Sequence, residues 1–217
     1  MKKIAIVLSG CGNKDGSEIT EVVSLIIAIS KLNAEYKFFA PSIEIIPHNF
    51  IKNESSQTRR NVLIESARIA RGNIQDIKEL NSNDFGALAF PGGFGAAEHL
   101  CNWSTKGANC EVLPVVKKAI IEFNSQKKPI AAICIAPVLL ARALGLSNIT
   151  LTVGNDKETI VEILKTGVHH ENCIAENCVV DFKNKIITTP AYMFDEATPY
   201  EVFQGISKLA LHLVGLA

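Results

Sequence analysis

A chain of 217 residues, 47% apolar and 20% charged, is long enough to bury one core of ordinary size, and a single domain over residues 1–217 is expected. Lys plus Arg equals Asp plus Glu at 22 each, which leaves no basic field for nucleic acid and no polybasic run for a membrane surface. The first apolar run, Ile4 to Leu8, is too short for a signal-peptide core and no run approaches a membrane span, so the expected location is cytoplasmic and the six cysteines read as reduced thiols.

Taken in order, Ile4 to Leu8 reads as a buried strand that ends in Ser9-Gly10-Cys11-Gly12. From Ser17 the pattern turns helical, with Ile19, Val22, Val23, Ile26, Ile27 and Ile29 at three- and four-residue spacing; Ser17 is the predicted cap, with Glu18 and Glu21 in the first turn. Tyr36 to Ala40 is a second strand stopped by Pro41, and Ile43 to Ile46 a shorter apolar run. A helix is predicted from Thr58 through Ala70, its charges read as a solvated face, with Gly72 as its stop. Phe85 to Phe90 is a strand that opens onto Pro91-Gly92-Gly93-Phe94-Gly95, and Glu111 to Asn124 a helix with Pro114 in its first turn. After the segment around Cys134, the pattern predicts a strand at Ile149 to Val153 and a helix at Glu158 to Leu164. A hairpin is predicted about Lys183-Asn184 and a last amphipathic helix from about Glu196 to Leu213. Strands alternating with helices argue for an open, mostly parallel sheet covered on both faces, with sites at the carboxyl ends of strands.

The chemistry concentrates at Pro129 to Leu140. An unalternating apolar run is followed by helical spacing, and Pro137 suits a first helical turn, so Cys134 falls in a tight strand-to-helix elbow. A thiol at a helix amino end is favoured as thiolate, the nucleophilic form. The glycines at 92 and 93 would turn backbone amides toward the same cleft. With the amide of Ile135 they supply two donors for charge on a carbonyl oxygen. Glu18, after the first strand, lies on the same rim. By contrast, Gly10 to Gly16 carries one residue too many for a dinucleotide fingerprint, and no acidic residue ends the second strand. His169-His170 with Cys173 matches no compact zinc spacing. Adjacent histidines on an extended segment face opposite ways, so a single histidine acting as proton carrier is the better reading.

Pro91-Gly92-Gly93 together with Ala132-Ile133-Cys134 and Pro137 resembles the DJ-1/PfpI superfamily of class I glutamine amidotransferase-like proteins. The segments Ile6 to Gly12, Asp15 to Ile19, Thr58 to Arg68, Pro91 to Ala97, Cys134 to Pro137 and Thr188 to Met193 are similar to its ElbB/ES1 branch and span nearly the whole chain. The resemblance implies a flavodoxin-like three-layer sandwich, a homodimer, and glutathione-independent glyoxalase activity on glyoxal or methylglyoxal, with no metal or organic cofactor. It further implies Cys134 as nucleophile, Glu18 as the glutamate that hydrogen-bonds it, and Gly92, Gly93 and Ile135 around the substrate oxygen. His170 matches a histidine of the branch, since Leu151 to Asp156 contains none. From a different class, the same residues fit a redox-sensing or partner-binding protein with a reactive cysteine, linked to isoprenoid metabolism.

Overall fold

The computed structural model describes residues 2–217. In chain order the elements are β1 (Lys3–Val7), α1 (Ile19–Lys31), β2 (Glu35–Ala40), β3 (Glu44–Ile45), β4 (His48–Asn49), β5 (Glu54–Ser55), β6 (Arg60–Asn61), α2 (Val62–Ile69) and β7 (Ile74–Asp76). There follow β8 (Ala87–Phe90), α3 (Phe94–Glu98), α4 (Trp103–Lys106), α5 (Pro114–Ser125), β9 (Ile130–Ile133), α6 (Pro137–Leu144), β10 (Thr150–Leu151) and α7 (Lys157–Leu164). The chain closes with β11 (His169–His170), β12 (Val179–Asp181), β13 (Ile186–Thr189) and α8 (Pro199–Leu216). No helix among the described residues is long and apolar enough to cross a membrane.

The central sheet runs β12-β13-β9-β8-β1-β2-β7, parallel throughout except for β12, which pairs with β13 as the predicted antiparallel hairpin. Its inner strands are apolar without alternation because both faces are covered: all four residues of β8, β9 and β13 are buried. One face packs on α1, α2 and α8, the other on α3, α5, α6 and α7, which gives the expected flavodoxin-like three-layer sandwich. From β1 the chain builds outward to β2 and β7, then crosses back to β8 and builds the other way. The strand order therefore reverses between β1 and β8, and the carboxyl ends of those strands and of β9 open into a crevice there.

Several sequence expectations shift in detail. Ser17 does not cap α1: its Oγ accepts the Ser9 amide at 2.9 Å, and Glu18 is the cap instead. The helix expected from Thr58 starts only at Val62, where the Asn61 side chain accepts two amides, and residues 60–61 pair with β3 in a small excursion. The strand expected at Ile149 to Val153 is two residues long and pairs with β11 outside the main sheet. β7 fills an edge of the sheet that the apolar pattern did not announce.

The core on the α5 side includes Phe123, Ile120 and Val116, all fully buried against β8 and β9. Truncation of Phe123 removes a ring from a region with no room to collapse, so Phe123→Ala is expected to cost about 3–5 kcal/mol. The midpoint of urea unfolding measures this, with the slope unchanged.

Candidate active site

Cys134 follows β9 directly, and its amide still donates to Thr189 of β13 at 2.9 Å, so the strand pairing holds the elbow from one side. Its φ is +60°, in the left-handed region, where a side chain other than glycine costs roughly 1–2 kcal/mol. The turn continues through Ile135 and Ala136 into α6, with Pro137 at its start. Cys134 is 8% exposed, at the floor of a cavity of about 600 Å³. Glu18, Gly93, Ile135 and Tyr192 are among the residues that line it.

Gly92 and Gly93 end β8 against this elbow. A Cβ on Gly92 would lie 2.4 Å from Cys134 Cβ and 2.7 Å from Glu21 Oε2, so glycine is required by close approach. Gly93 has φ +88°, and a Cβ there would meet the Gly16 carbonyl at 2.3 Å. Freed of side chains, the turn brings its backbone close: the amides of Gly93 and Ile135 lie near enough to the Cys134 sulfur to favour its charged form. The two expected oxyanion donors are thus brought together around the sulfur.

The carboxylate beside the thiol is Glu21, which sequence reasoning left in a helix turn without a role. Glu18, the residue the resemblance pointed to, caps α1 with its own side chain: its Oε2 accepts the Glu21 amide at 2.7 Å. Helical geometry then places Glu21 one turn on, facing inward. Glu21 is fully buried, its Oε2 accepts the Gly92 amide at 2.8 Å, and the carboxyl contacts the Cys134 thiol. Its Oε1 is buried without a regular hydrogen bond. Burial, and then the nearby Glu18 charge, push Glu21 up to about 8. A neutral carboxylic acid suits this place, because a bare carboxylate buried without a counter-charge is desolvated at high cost. The thiolate expected at this helix end is not what the surroundings favour: burial and the proximity of Glu21 hold the Cys134 thiol well above its ordinary value, while the Gly93 and Ile135 amides pull the other way. Burial raises Glu18 as well, opposed by the amides that it caps.

His170 is not brought to this cavity's wall. It lies on β11, its Nε2 accepts the Val153 amide at 3.4 Å, and burial lowers its pKa. Its place is behind the segment from β10 to Asp156, which caps α7 and reaches the cavity rim. The neighbouring His169 meets Asn148 on the outer side. One signal for Glu21 was present in the sequence: Glu21, Leu25 and Ala28 fall at i, i+4 and i+7, and that is the buried stripe of α1.

The Glu21 proton makes stability pH-dependent with a definite sign. Unfolded, this carboxyl returns to its ordinary 4.5, so between there and about 8 the folded chain keeps a proton that the unfolded chain releases. Stability from this group is therefore whole below about 4.5 and falls as pH rises toward 8. Urea midpoints measured across that window should decline in the native protein, and Glu21→Gln should flatten the decline.

Comparison with known proteins identifies the family to which this fold belongs. The DJ-1/PfpI family matches residues 15–195. A human protein, glutamine amidotransferase-like class 1 domain-containing protein 3, mitochondrial, is 39% identical over 229 residues, which is 99% of this chain and 83% of that protein. The ES1 protein homolog, mitochondrial, of Rattus norvegicus is 38% identical over 231 residues, 98% of this chain and 84% of its own length. The expectation of a cytoplasmic location does not carry over to these two relatives, whose names place them in mitochondria. A crystal structure of an isoprenoid biosynthesis protein with an amidotransferase-like domain from Ehrlichia chaffeensis matches with a TM-score of 0.93 at 35% identity, covering 100% of this chain and 99% of that one. The DJ-1beta structure from Drosophila melanogaster shares the fold, with a TM-score of 0.59 at 17% identity over 99% of this chain and 92% of its own. With that match over most of its length and relatives of this identity, the chain belongs to the DJ-1/PfpI family.

Proposed function

We propose that this protein is a cofactor-independent glyoxalase that converts glyoxal or methylglyoxal to the corresponding hydroxy acid. The observation that carries the reading is a cavity-facing cysteine in left-handed backbone set beside the buried Glu21 carboxyl, with Gly93 and Ile135 lining the same cavity. The Cys134 S–H bond adds across one aldehyde carbonyl, sulfur to carbon and proton to oxygen, to give a hemithioacetal. The developing oxyanion meets the Gly93 and Ile135 amides. A proton then leaves the carbon bearing sulfur and one returns to the neighbouring carbon. The first carbon is thereby oxidised to a thioester and the second reduced to an alcohol, with no external electron acceptor. Water cleaves the thioester, releasing glycolate or lactate and restoring the thiol. Glu21 is the proton carrier in reach of the sulfur, with a pKa near the working pH as acid–base catalysis favours. Glu18 contributes by fixing the start of α1, and so the direction in which Glu21 points.

Glycolate formation from glyoxal tests the assignment. Cys134→Ala is expected to abolish it, and Glu21→Gln to lower kcat by about 10²–10⁴-fold. Glu18→Gln, which keeps a cap acceptor, should cost less than tenfold, and His170→Ala likewise. Equal activity of Cys134→Ala and the native protein would overturn the reading.

The homodimer implied by the resemblance is part of the same proposal. It is supported by Ile19, Val23 and Ile27, which form an exposed apolar stripe at four-residue spacing along α1, beside the cavity. Light scattering should give twice the 23.5 kDa chain mass for the native protein, and Val23→Arg should shift it to the monomer.

A further inference from the structure

The loop from Gly10 to Gly16 has two sides. Asn13 lines the catalytic cavity, whereas Cys11 and Asp15 face a second cavity of about 190 Å³ on the far side, completed by His48, Arg60, Glu65 and Arg68. The stretches Ile6 to Gly12, Asp15 to Ile19 and Thr58 to Arg68 were conspicuous in the sequence, yet they supply only part of the catalytic cavity. The fold brings Cys11, Asp15, Arg60, Glu65 and Arg68 from these stretches to one place. Ser66 ties it together, its Oγ accepting the Gly10 amide at 2.9 Å and so seating the loop on α2.

Glu65 is the centre of this second cavity. It is 8% exposed, and a single oxygen, Oε2, meets Arg60 Nη1 at 3.2 Å and Arg68 Nε at 3.1 Å. A mostly buried carboxylate that meets two guanidiniums through one oxygen anchors one edge of each and uses few of their donors. Neither arginine donates to any other residue among those described, and with side chains 50% and 62% exposed they stand at the cavity mouth, where their remaining N–H groups meet water or an incoming acceptor. Asp15 spends Oδ2 on the His48 amide at 2.6 Å, which holds the opposite wall, and Ile45 and Phe50 add an apolar side.

We infer that this second cavity binds a small monocarboxylate, its carboxylate received by Arg60 and Arg68 and its short carbon body lying against Ile45 and Phe50. Planar guanidinium groups match a carboxylate bidentately. Charge decides between anions: Arg60 and Arg68 share the single carboxylate of Glu65, which leaves one positive charge for one negative charge, while Asp15 on the opposite wall, its Oδ1 unpaired, opposes the second charge of a phosphate dianion. The volume holds an acid of a few carbons. Cys11 stands at the cavity as a reporter thiol; burial first, then Glu65, raise its pKa while Arg68 opposes them, so it is a slow nucleophile whose shielding can be followed.

Butyrate, acetate and inorganic phosphate serve as probes, with binding followed by calorimetry and by peptide-resolved alkylation of Cys11 with iodoacetamide. The expected result is saturable butyrate binding at millimolar concentration that slows Cys11 alkylation at least threefold, with acetate weaker and phosphate weaker still. Arg68→Gln should weaken butyrate at least tenfold. Arg68→Lys keeps the charge that Glu65 needs for folding and should weaken it severalfold at an unchanged urea midpoint. Cys134→Ala should leave binding unchanged whether or not the protein turns over dicarbonyls, so this test is independent of the glyoxalase assignment. Failure of butyrate to protect Cys11, full binding by Arg68→Gln, phosphate binding tighter than butyrate, or loss of binding in Cys134→Ala would each overturn the inference.

Discussion

The structure turns on one buried carboxyl. Glu21 reaches from α1 across to the Gly92 amide at the end of β8 and to the thiol at the end of β9, so one side chain ties a helix to two strands at the point where the sheet reverses its order. That position is uncomfortable for a charge, and the group meets the demand by holding a proton near neutral pH. The neighbouring backbone is shaped around the contact: Gly92 has no side chain because the thiol and the carboxyl leave it no room. Energetically, a fixed acid, a fixed sulfur and two fixed amides mean that little reorganisation is left for a bound molecule to induce.

Reading the sequence went furthest where the signal was local. The elbow at Cys134 was legible because a buried strand, a thiol and Pro137 are adjacent in the chain, and the glycine turn after Phe90 because glycines at a strand end have few other uses. The carboxylate was missed by one helical turn. Apolar residues lie on two sides of α1, Leu25 and Ala28 inward and Ile19, Val23 and Ile27 outward, so hydropathy alone could not set the helix phase. Taking Ser17 as the cap placed Glu18 in the first turn, whereas the Ser17 hydroxyl is committed to Ser9. His170 was assigned by resemblance, and its position depends on a two-stranded pairing far from any local pattern.

The charges of β6 and α2 give the opposite lesson. Arg60, Glu65 and Arg68 have the composition of a solvated helix face, and two of them are largely that. Glu65 is not, because the small excursion between β3 and β6 folds over it and the Gly10 loop docks beside it. No short-range rule reports a surface that is covered by residues from a remote part of the chain. Long-range tertiary packing is what turned an ordinary i, i+3 pair into the wall of a cavity.

The left-handed backbone at Cys134 has a consequence for how the chain can change. A residue in strained backbone is held there by its neighbours, here the pairing to Thr189 and the crowding at Gly92. Glycine at this position would relax the turn and remove the sulfur in one step. Backbone stability and the presence of a thiol therefore pull against each other at this one position.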